Sequence, residues 1–426
     1  MKIKNLCIGI VMCTMPNLNV GQTNNSYYYT VNEGSFTTID KYKNEDSLIK
    51  KLKTLFIKDR HIDVIFPQEI EKTPVEIINE GAFVGEEIIQ KVEFPKSLQL
   101  IKKHAFLACT GLTSVTFHST PHIQPYAFYY CTNLKKVKYL GDNTCGKTIS
   151  DNCYAFCRSL EEIDIPENVE GIGNYAFSHC QKLINITLPQ KISFIGEDAF
   201  SQCTSLSKIN LPPNIESIGA GAFSWCASIS NVNIPDSVHK IENSTFANCT
   251  NLSHIQIGTG LKQIGSGAFF NCNSLIEVNT PKDLERIENG AFYGCEKLKK
   301  ITFNNNLKHI GNSAFKGCGE LTEIEIPIAV TNIGSSAFRF CKKLTNIVIN
   351  NNETIIGDLA FDQTEVYAKL AAAGNQWAQL HLGLRYLQGY DVQKNSKTGL
   401  DLILKSASQG NEEAKEVLKE FTNRNK

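Results

Sequence analysis

A chain of 426 residues with 43 basic and 43 acidic side chains has no net field to draw it to nucleic acid or an anionic membrane. Its 42% apolar content and 23 phenylalanines supply material for a large core and exclude global disorder. Glycine-rich phosphate loops, a His-Glu-x-x-His run and convergent titratable sets are absent, so no catalytic, cofactor or metal site is expected.

Residues 1–26 begin with Lys2 and Lys4 and continue through an apolar stretch from Leu6 to Met15. That stretch has the length of a signal-peptide core and is too short to span a bilayer. We therefore expect 1–26 to be an export leader, although no small-x-small cleavage pair follows it. Export implies an extracellular or cell-surface protein; a cytoplasmic location is the alternative. Residues 27–61 have no repeat phase. Leu48, Leu52, Leu55 and Phe56 share one face of a helix expected at Ser47 to Ile57, which would cap the open end of the first coil.

From residue 62 a repeat takes over. A phenylalanine, in its standard form preceded by alanine, recurs at positions 83, 106, 128, 156, 177, 200, 223, 246, 269, 292, 315, 338 and 361, and every spacing from Phe177 onward is 23. One full unit is carried by Leu183, Ile186, Leu188, Pro189, Ile192, Ile195, Gly196, Ala199, Phe200 and Cys203. Ile186 and Leu188 have the period of a strand with both side chains turned inward. Pro189 ends that strand. Gly196 stands where a side chain would crowd the bend, and the small Ala199 leaves room for the Phe200 ring. One such coil cannot bury its apolar side alone, whereas a stack can. Residues 62–361 are therefore expected to form a solenoid of about thirteen coils with a ladder of parallel strands.

Ten cysteines keep the repeat phase, three residues behind the phenylalanine: Cys109, Cys131, Cys180, Cys203, Cys226, Cys249, Cys272, Cys295, Cys318 and Cys341. We read them as a column of buried thiols, since stacked parallel side chains have the wrong vectors for bridging one another. The phase breaks between Phe128 and Phe156, where the spacing is 28. There Gly141 to Gly146 is expected to bulge as a loop, leaving Cys145, Cys153 and Cys157 off the column. A local disulfide and a metal site remain alternatives for these three.

The strand residues that alternate with the core form two outward, polar columns. Their candidate ligand-binding members are Lys136, Lys138, Glu162, Asp164, Lys208, Asn210, Asn231, Asn233, His254, Gln256, Glu277, Lys300 and Glu323. A polar, extended face suits a protein or glycan ligand better than a small apolar molecule, which needs a concave site.

Beyond Phe361 the pattern turns helical. Ala371, Gly374, Asn375 and Ala378 recur as Ala407, Gly410, Asn411 and Ala414, each displaced by 36 residues. Residues 362–426 are thus expected to be a small all-α tail of four short helices. It would cap the last coil or bind a second protein partner.

The unit Ile-Gly-x-x-Ala-Phe-x-x-Cys followed by Leu-x-x-Ile-x-Ile-Pro resembles the BspA-type, or treponemal-type, leucine-rich repeat. The tail pattern around Leu382, Gly383, Tyr386 and Gly389, with Gly374-Asn375 and Gly410-Asn411 between units, is similar to Sel-one-like repeats, a tetratricopeptide-related class. Gly399 stands where that class usually has alanine, at an expected cost to its helix of about 1 kcal/mol. The resemblances imply a leucine-rich-repeat solenoid with a helical-repeat tail, and a non-catalytic adhesin or recognition protein. An intracellular scaffold bridging partners through the tail is the alternative.

Overall fold

The structure, a computed structural model, describes residues 62–70, 73–141 and 146–424, together with the strands Thr23–Asn24, Tyr27–Asn32 and Phe36–Tyr42. The expected leader core and the helix expected at Ser47 to Ile57 lie outside the described residues. Two compact units divide the chain, Met1–Ile229 and Ser230–Lys426. Each is a parallel-strand solenoid; between them they hold about 12 turns at roughly 23-residue spacing, followed by four C-terminal helices.

A coil has three sides. The first is the strand of the Leu-x-x-Ile-x-Ile run. In the first unit Ile62–Ile65, Ile89–Phe94, Ser114–Phe117, Lys136–Tyr139 and Glu162–Ile163 pair in that order, and Asn185–Ile186 pairs with Lys208–Ile209. In the second unit Asn231–Ile234, His254–Ile257, Glu277–Asn279 and Lys300–Thr302 pair in order, and Glu323–Ile326 pairs with Asn346–Ile349. The second side, expected only to cross over, is itself a ladder of short parallel strands, from Lys240–Ile241 to Ile355–Ile356 in the second unit. Its glycines permit the close stacking of coils: a Cβ on Gly196 would lie 2.6 Å from the Asn174 backbone nitrogen one coil earlier. Ahead of the first coil, Phe36–Tyr42 pairs in parallel with Thr73–Ile78, so strands extend this ladder at its N-terminal edge.

The third side carries the Ala-Phe pair. Here the Phe N–H donates to the alanine carbonyl of the next coil, as in Phe177 to Ala199 at 2.8 Å and Phe292 to Ala314 at 2.7 Å. The rings stack inside each unit with near-parallel planes, Phe200 on Phe223 at 5.5 Å and Phe292 on Phe315 at 5.3 Å. One coil has Thr245 in place of alanine, and its buried hydroxyl is satisfied by the Glu242 carbonyl at 2.9 Å.

The stack corrects the expected register of one coil. Tyr154, not Phe156, occupies the core position, between Phe128 at 5.5 Å and Phe177 at 5.6 Å. Its hydroxyl is hydrogen-bonded to that of Tyr139 at 2.9 Å, which removes the cost of burying it. The insertion is therefore three residues rather than five, and Cys157 lies in the cysteine column. Its thiol donates to the Phe128 carbonyl at 3.3 Å, as that of Cys203 donates to Phe177 at 3.1 Å and that of Cys295 to Phe269 at 3.2 Å. All ten regular cysteines, with Cys153 and Cys157, are buried free thiols; Cys145 lies outside the described residues. Beyond packing as small apolar groups, the column thiols donate to core-lining carbonyls.

The helices are α1 (Thr364–Ala372), α2 (Gln376–Gln388), α3 (Ser396–Ser408) and α4 (Glu412–Arg424). Asn375, Asn395 and Asn411 accept the first-turn N–H groups of α2, α3 and α4, and Gly389 ends α2 in the left-handed conformation. A Cβ on Gly399 would stand 2.8 Å from the Gly383 carbonyl, so glycine lets α2 and α3 cross closely where alanine would collide. That offsets the intrinsic helix cost expected for it.

The first two helices cap the last coil. Arg385 donates to the Phe361 and Asp362 carbonyls at 3.0 and 2.9 Å, and His381 Nε2 lies 2.7 Å from the Ile356 carbonyl oxygen. Asn375 donates to the Asn352 and Thr354 carbonyls at 3.0 and 3.1 Å, while the Tyr367 hydroxyl accepts from the Phe361 N–H at 3.2 Å. Backbone groups that another coil would have paired are thus satisfied by side chains of the tail.

Candidate functional site

The strand ladder places the candidate columns outward, as their period requires. In the first unit Lys136 is in register between Ser114 and Glu162 and is ion-paired to Glu162 across adjacent strands. Lys138 is half-buried beside them, and Asp164, Lys208 and Asn210 are exposed. In the second unit Asn231, His254, Glu277 and Lys300 occupy consecutive register positions, with Asn233 opposite Gln256. Glu323 pairs in register with Asn346. His254 shares a 2.8 Å hydrogen bond with Ser253, leaving much of its ring free of other constraint. The ladder is thus a rigid array, polar apart from Ile65 and Val348.

The Ala-Phe side presents a different surface, which the sequence patterns did not reveal. In nearly every coil the residues two before and two after the core ring are in the left-handed backbone region. In the second unit small or left-handed-tolerant residues hold most of these places: Ser244 and Asn248, Gly267 and Asn271, Gly290 and Gly294, Ser313 and Gly317. In the first unit four successive coils place rings there instead, at His104, at Tyr126 and Tyr130, at Phe156, and at Tyr175 and His179. With Tyr129, these rings other than Tyr175 form a contiguous, partly exposed ridge. Tyr129 lies 5.5 Å from Tyr126 and 5.4 Å from Phe156; Phe156 lies 6.0 Å from Tyr130 and stacks on His179 at 4.3 Å. Tyr126, Tyr130 and Tyr175 remain 37%, 39% and 37% exposed.

Polar groups border the ridge. The Ser178 hydroxyl is hydrogen-bonded to His179 Nδ1 at 3.0 Å, and burial together with the Arg158 charge holds that imidazole below its ordinary range, so it is neutral at pH 7. Burial and the Glu197 and Asp198 carboxylates push the Tyr175 phenol up, so it too is uncharged. In the second unit the half-buried Tyr293 and the exposed Phe340 carry their own cations. Lys316 lies 5.3 Å from the Tyr293 ring centre and 5.6 Å from that of Phe340, and Arg339 lies 4.8 Å from Phe340. Among the described residues the ridge rings of the first unit have no such cation contact.

A cleft lined by Thr120, Tyr139, Cys153 and Val169 has a volume of about 10 Å³, room for a water molecule. Among the described residues no group of three or more His, Cys, Asp or Glu side chains is placed to hold a metal ion. None of the described helices is long and apolar enough to cross a membrane.

Two parallel ladders, a core strand of the Leu-x-x-Ile-x-Ile type and a stack of one phenylalanine per coil define a leucine-rich-repeat solenoid. The sequence matches the BspA type leucine rich repeat region in six copies, over residues 56–183, 147–276 and 262–371. The chain therefore belongs to the BspA-type leucine-rich repeat family. A leucine-rich repeat protein from Bacteroides ovatus is 26% identical, with a TM-score of 0.57 over 80% of this chain and 91% of that one. A leucine rich cell surface protein from Faecalibacterium prausnitzii is 25% identical, with a TM-score of 0.49 over 78% of this chain and 96% of that one. No curated protein matches the chain in sequence. The family and fold are typical of non-enzymatic binding proteins, and no catalytic family is indicated.

Proposed function

We propose that this chain is an exported recognition protein that binds a protein or glycan outside the cell through the strand ladder of its repeats. The observation that carries the reading is the ladder itself. Side chains such as Asn231, His254, Glu277 and Lys300 stand one per strand in fixed register, so their relative positions are set by the backbone before any ligand arrives. A pre-ordered array loses little conformational entropy on binding. The leader expected at residues 1–26 supports export. We also infer that the tail is a Sel-one-like repeat; the Asn375 and Asn411 caps, 36 residues apart, and the Gly383–Gly399 crossing support that reading.

The test is a binding screen of the whole chain against immobilised extracellular-matrix proteins and glycans, repeated with charge-reversed ladders. Glu277→Lys with Lys300→Glu in the second unit, or Lys136→Glu with Lys138→Glu in the first, should weaken capture about tenfold or more. Capture unchanged by both pairs would remove the ladder as the site.

A further inference from the structure

We infer that the aromatic ridge of the first unit is a second binding surface, built to take an uncharged polysaccharide chain. It lies on a different side of the coil from the ladder, so it does not depend on the ladder's role.

The first argument is energetic. A left-handed backbone is unfavourable for a bulky side chain and nearly free for glycine. The fold demands that conformation at two places per coil, and at the same places the second unit uses Gly290, Gly294 and Gly317. Tyr126, Tyr130, Phe156 and Tyr175 therefore keep a backbone cost that glycine would remove. The exposed tyrosines, over a third of whose surface meets solvent, recover little of it through burial. A cost kept in neighbouring coils, at positions where the fold offers a cheaper residue, points to use of the side chains.

The second argument concerns what the rings can hold. Phe156 stacks on His179 and lies within 6.0 Å of both Tyr129 and Tyr130, giving adjoining ring faces across successive coils. The C–H faces of pyranose rings pack on aromatic faces, and their equatorial hydroxyls need donors and acceptors at the edges. Tyrosine hydroxyls, the neutral His179 ring and the Asp151 carboxylate supply both kinds. Coils advance by about one strand spacing, ~4.8 Å, a length comparable to one sugar unit in an extended polysaccharide. A chain laid along the stack could therefore meet one coil per sugar.

Charge selects among glycans. The ridge is bordered by Asp151, whose carbonyl accepts from the Tyr126 N–H, by Glu197 and Asp198 beside Tyr175, and by the Arg158 cation beside His179. Such a border repels polyanions, so sulfated or sialylated chains and nucleic acids are poor occupants. In the second unit Lys316 and Arg339 already lie over the Tyr293 and Phe340 rings, so a sugar would have to displace them.

The probe is affinity electrophoresis of the whole chain in gels containing one neutral soluble polysaccharide each: hydroxyethylcellulose, xylan, galactomannan, mixed-linkage β-glucan or starch. At least one should retard the protein. Tyr130→Gly with Phe156→Asn should weaken that retardation about tenfold, the equivalent of one good aromatic contact. Both substitutions install residues that the second unit carries at the same repeat position, Gly294 and Asn271, so folding is preserved. Glu277→Lys with Lys300→Glu should leave retardation unchanged, which separates this surface from the ladder. Retardation by none of the five, or an undiminished effect in the ridge variant, would overturn the inference. So would a ridge variant that loses capture by a matrix protein while keeping its polysaccharide affinity.

Discussion

The Ala-Phe side is built identically in the two units and furnished differently. Both stack one ring per coil and hold the flanking residues in the left-handed region. The second unit meets that demand mainly with glycine, asparagine and serine and lays Lys316 and Arg339 over Tyr293 and Phe340. The first unit meets it with Tyr126, Tyr130, Phe156 and Tyr175 and leaves them bare of cations among the described residues. A repeat fixes backbone conformation at each position but leaves outward side chains free. Departures from the least costly residue are therefore where function can be read.

The largest expected difference between the units is chemical rather than conformational. Burial raises the thiols of Cys109, Cys131, Cys153, Cys157, Cys180 and Cys203 in the first unit, and those of Cys272, Cys295, Cys318 and Cys341 in the second. Cys203 and Cys341 are each pushed up to about 12 from an ordinary 9.0. A raised thiol stays protonated in the folded chain while the unfolded chain ionises. The stability it contributes is therefore complete below pH 9 and falls as pH rises from 9 toward 12. Each such thiol contributes a loss of up to about 1.4 kcal/mol per pH unit in that window. With seven buried thiols against five among the described residues, the first unit should lose stability more steeply. Pulse proteolysis between pH 8 and 11, read by mass spectrometry, should find cleavage first in residues 100–229. Cleavage first in residues 250–361 would contradict the thiol account.

The cysteine column was legible because each member fills the same buried place, and burial allows little variation. The outward ladder was legible because strand geometry has a period of two. The register of Tyr154 was missed because Ala155-Phe156 imitates the repeat dipeptide two residues late. The signal lay in Cys157, three residues behind Tyr154, as Cys180 is behind Phe177. The ridge was missed because its members follow neither period. They sit two residues either side of a core ring, and only the recurrence of glycine there, at 221, 267, 290 and 317, betrays the backbone state. Gly399 was misjudged because its value lies in Gly383, a contact between helices that helix propensity does not contain. The capping contacts of the tail were not legible because they depend on which carbonyls Arg385, His381 and Asn375 reach.

A smaller effect isolates the backbone term. At Gly290 an added Cβ would meet nothing nearer than 3.8 Å, so Gly290→Ala changes little besides the cost of its φ of 60°. It should lower the urea stability of the second unit by about 1 kcal/mol. Trp225→Gly, at a φ of 61° and 50% exposed, should raise that of the first unit by less, because glycine also adds entropy to the unfolded chain. If Gly290→Ala were neutral, the aromatic positions of the first unit would carry no measurable backbone cost, and the energetic argument for the ridge would fall.

The smallest effect concerns the cations over the second unit's rings. Lys316 lies near both Tyr293 and Phe340, at 5.3 and 5.6 Å, and Arg339 lies 4.8 Å from Phe340. At a partly exposed site such a contact is worth about 0.5–1 kcal/mol, so Lys316→Met should shift the unfolding midpoint only slightly. Methionine keeps much of the apolar stem and removes the charge, so the change reports the cation alone. Phe340 is 47% exposed and left-handed at a φ of 63°, like the ridge residues. Freed of Lys316, and in a second variant of Arg339 as well, it should become available to the same neutral polysaccharide that the ridge retains. A weak gain of retardation in the double variant, measured with the ridge already disabled by Tyr130→Gly and Phe156→Asn, would make cation cover the feature that separates the two sides. No gain would mean that a single ring is too little, and that the contiguity of Tyr129, Phe156 and His179 is what the first unit adds.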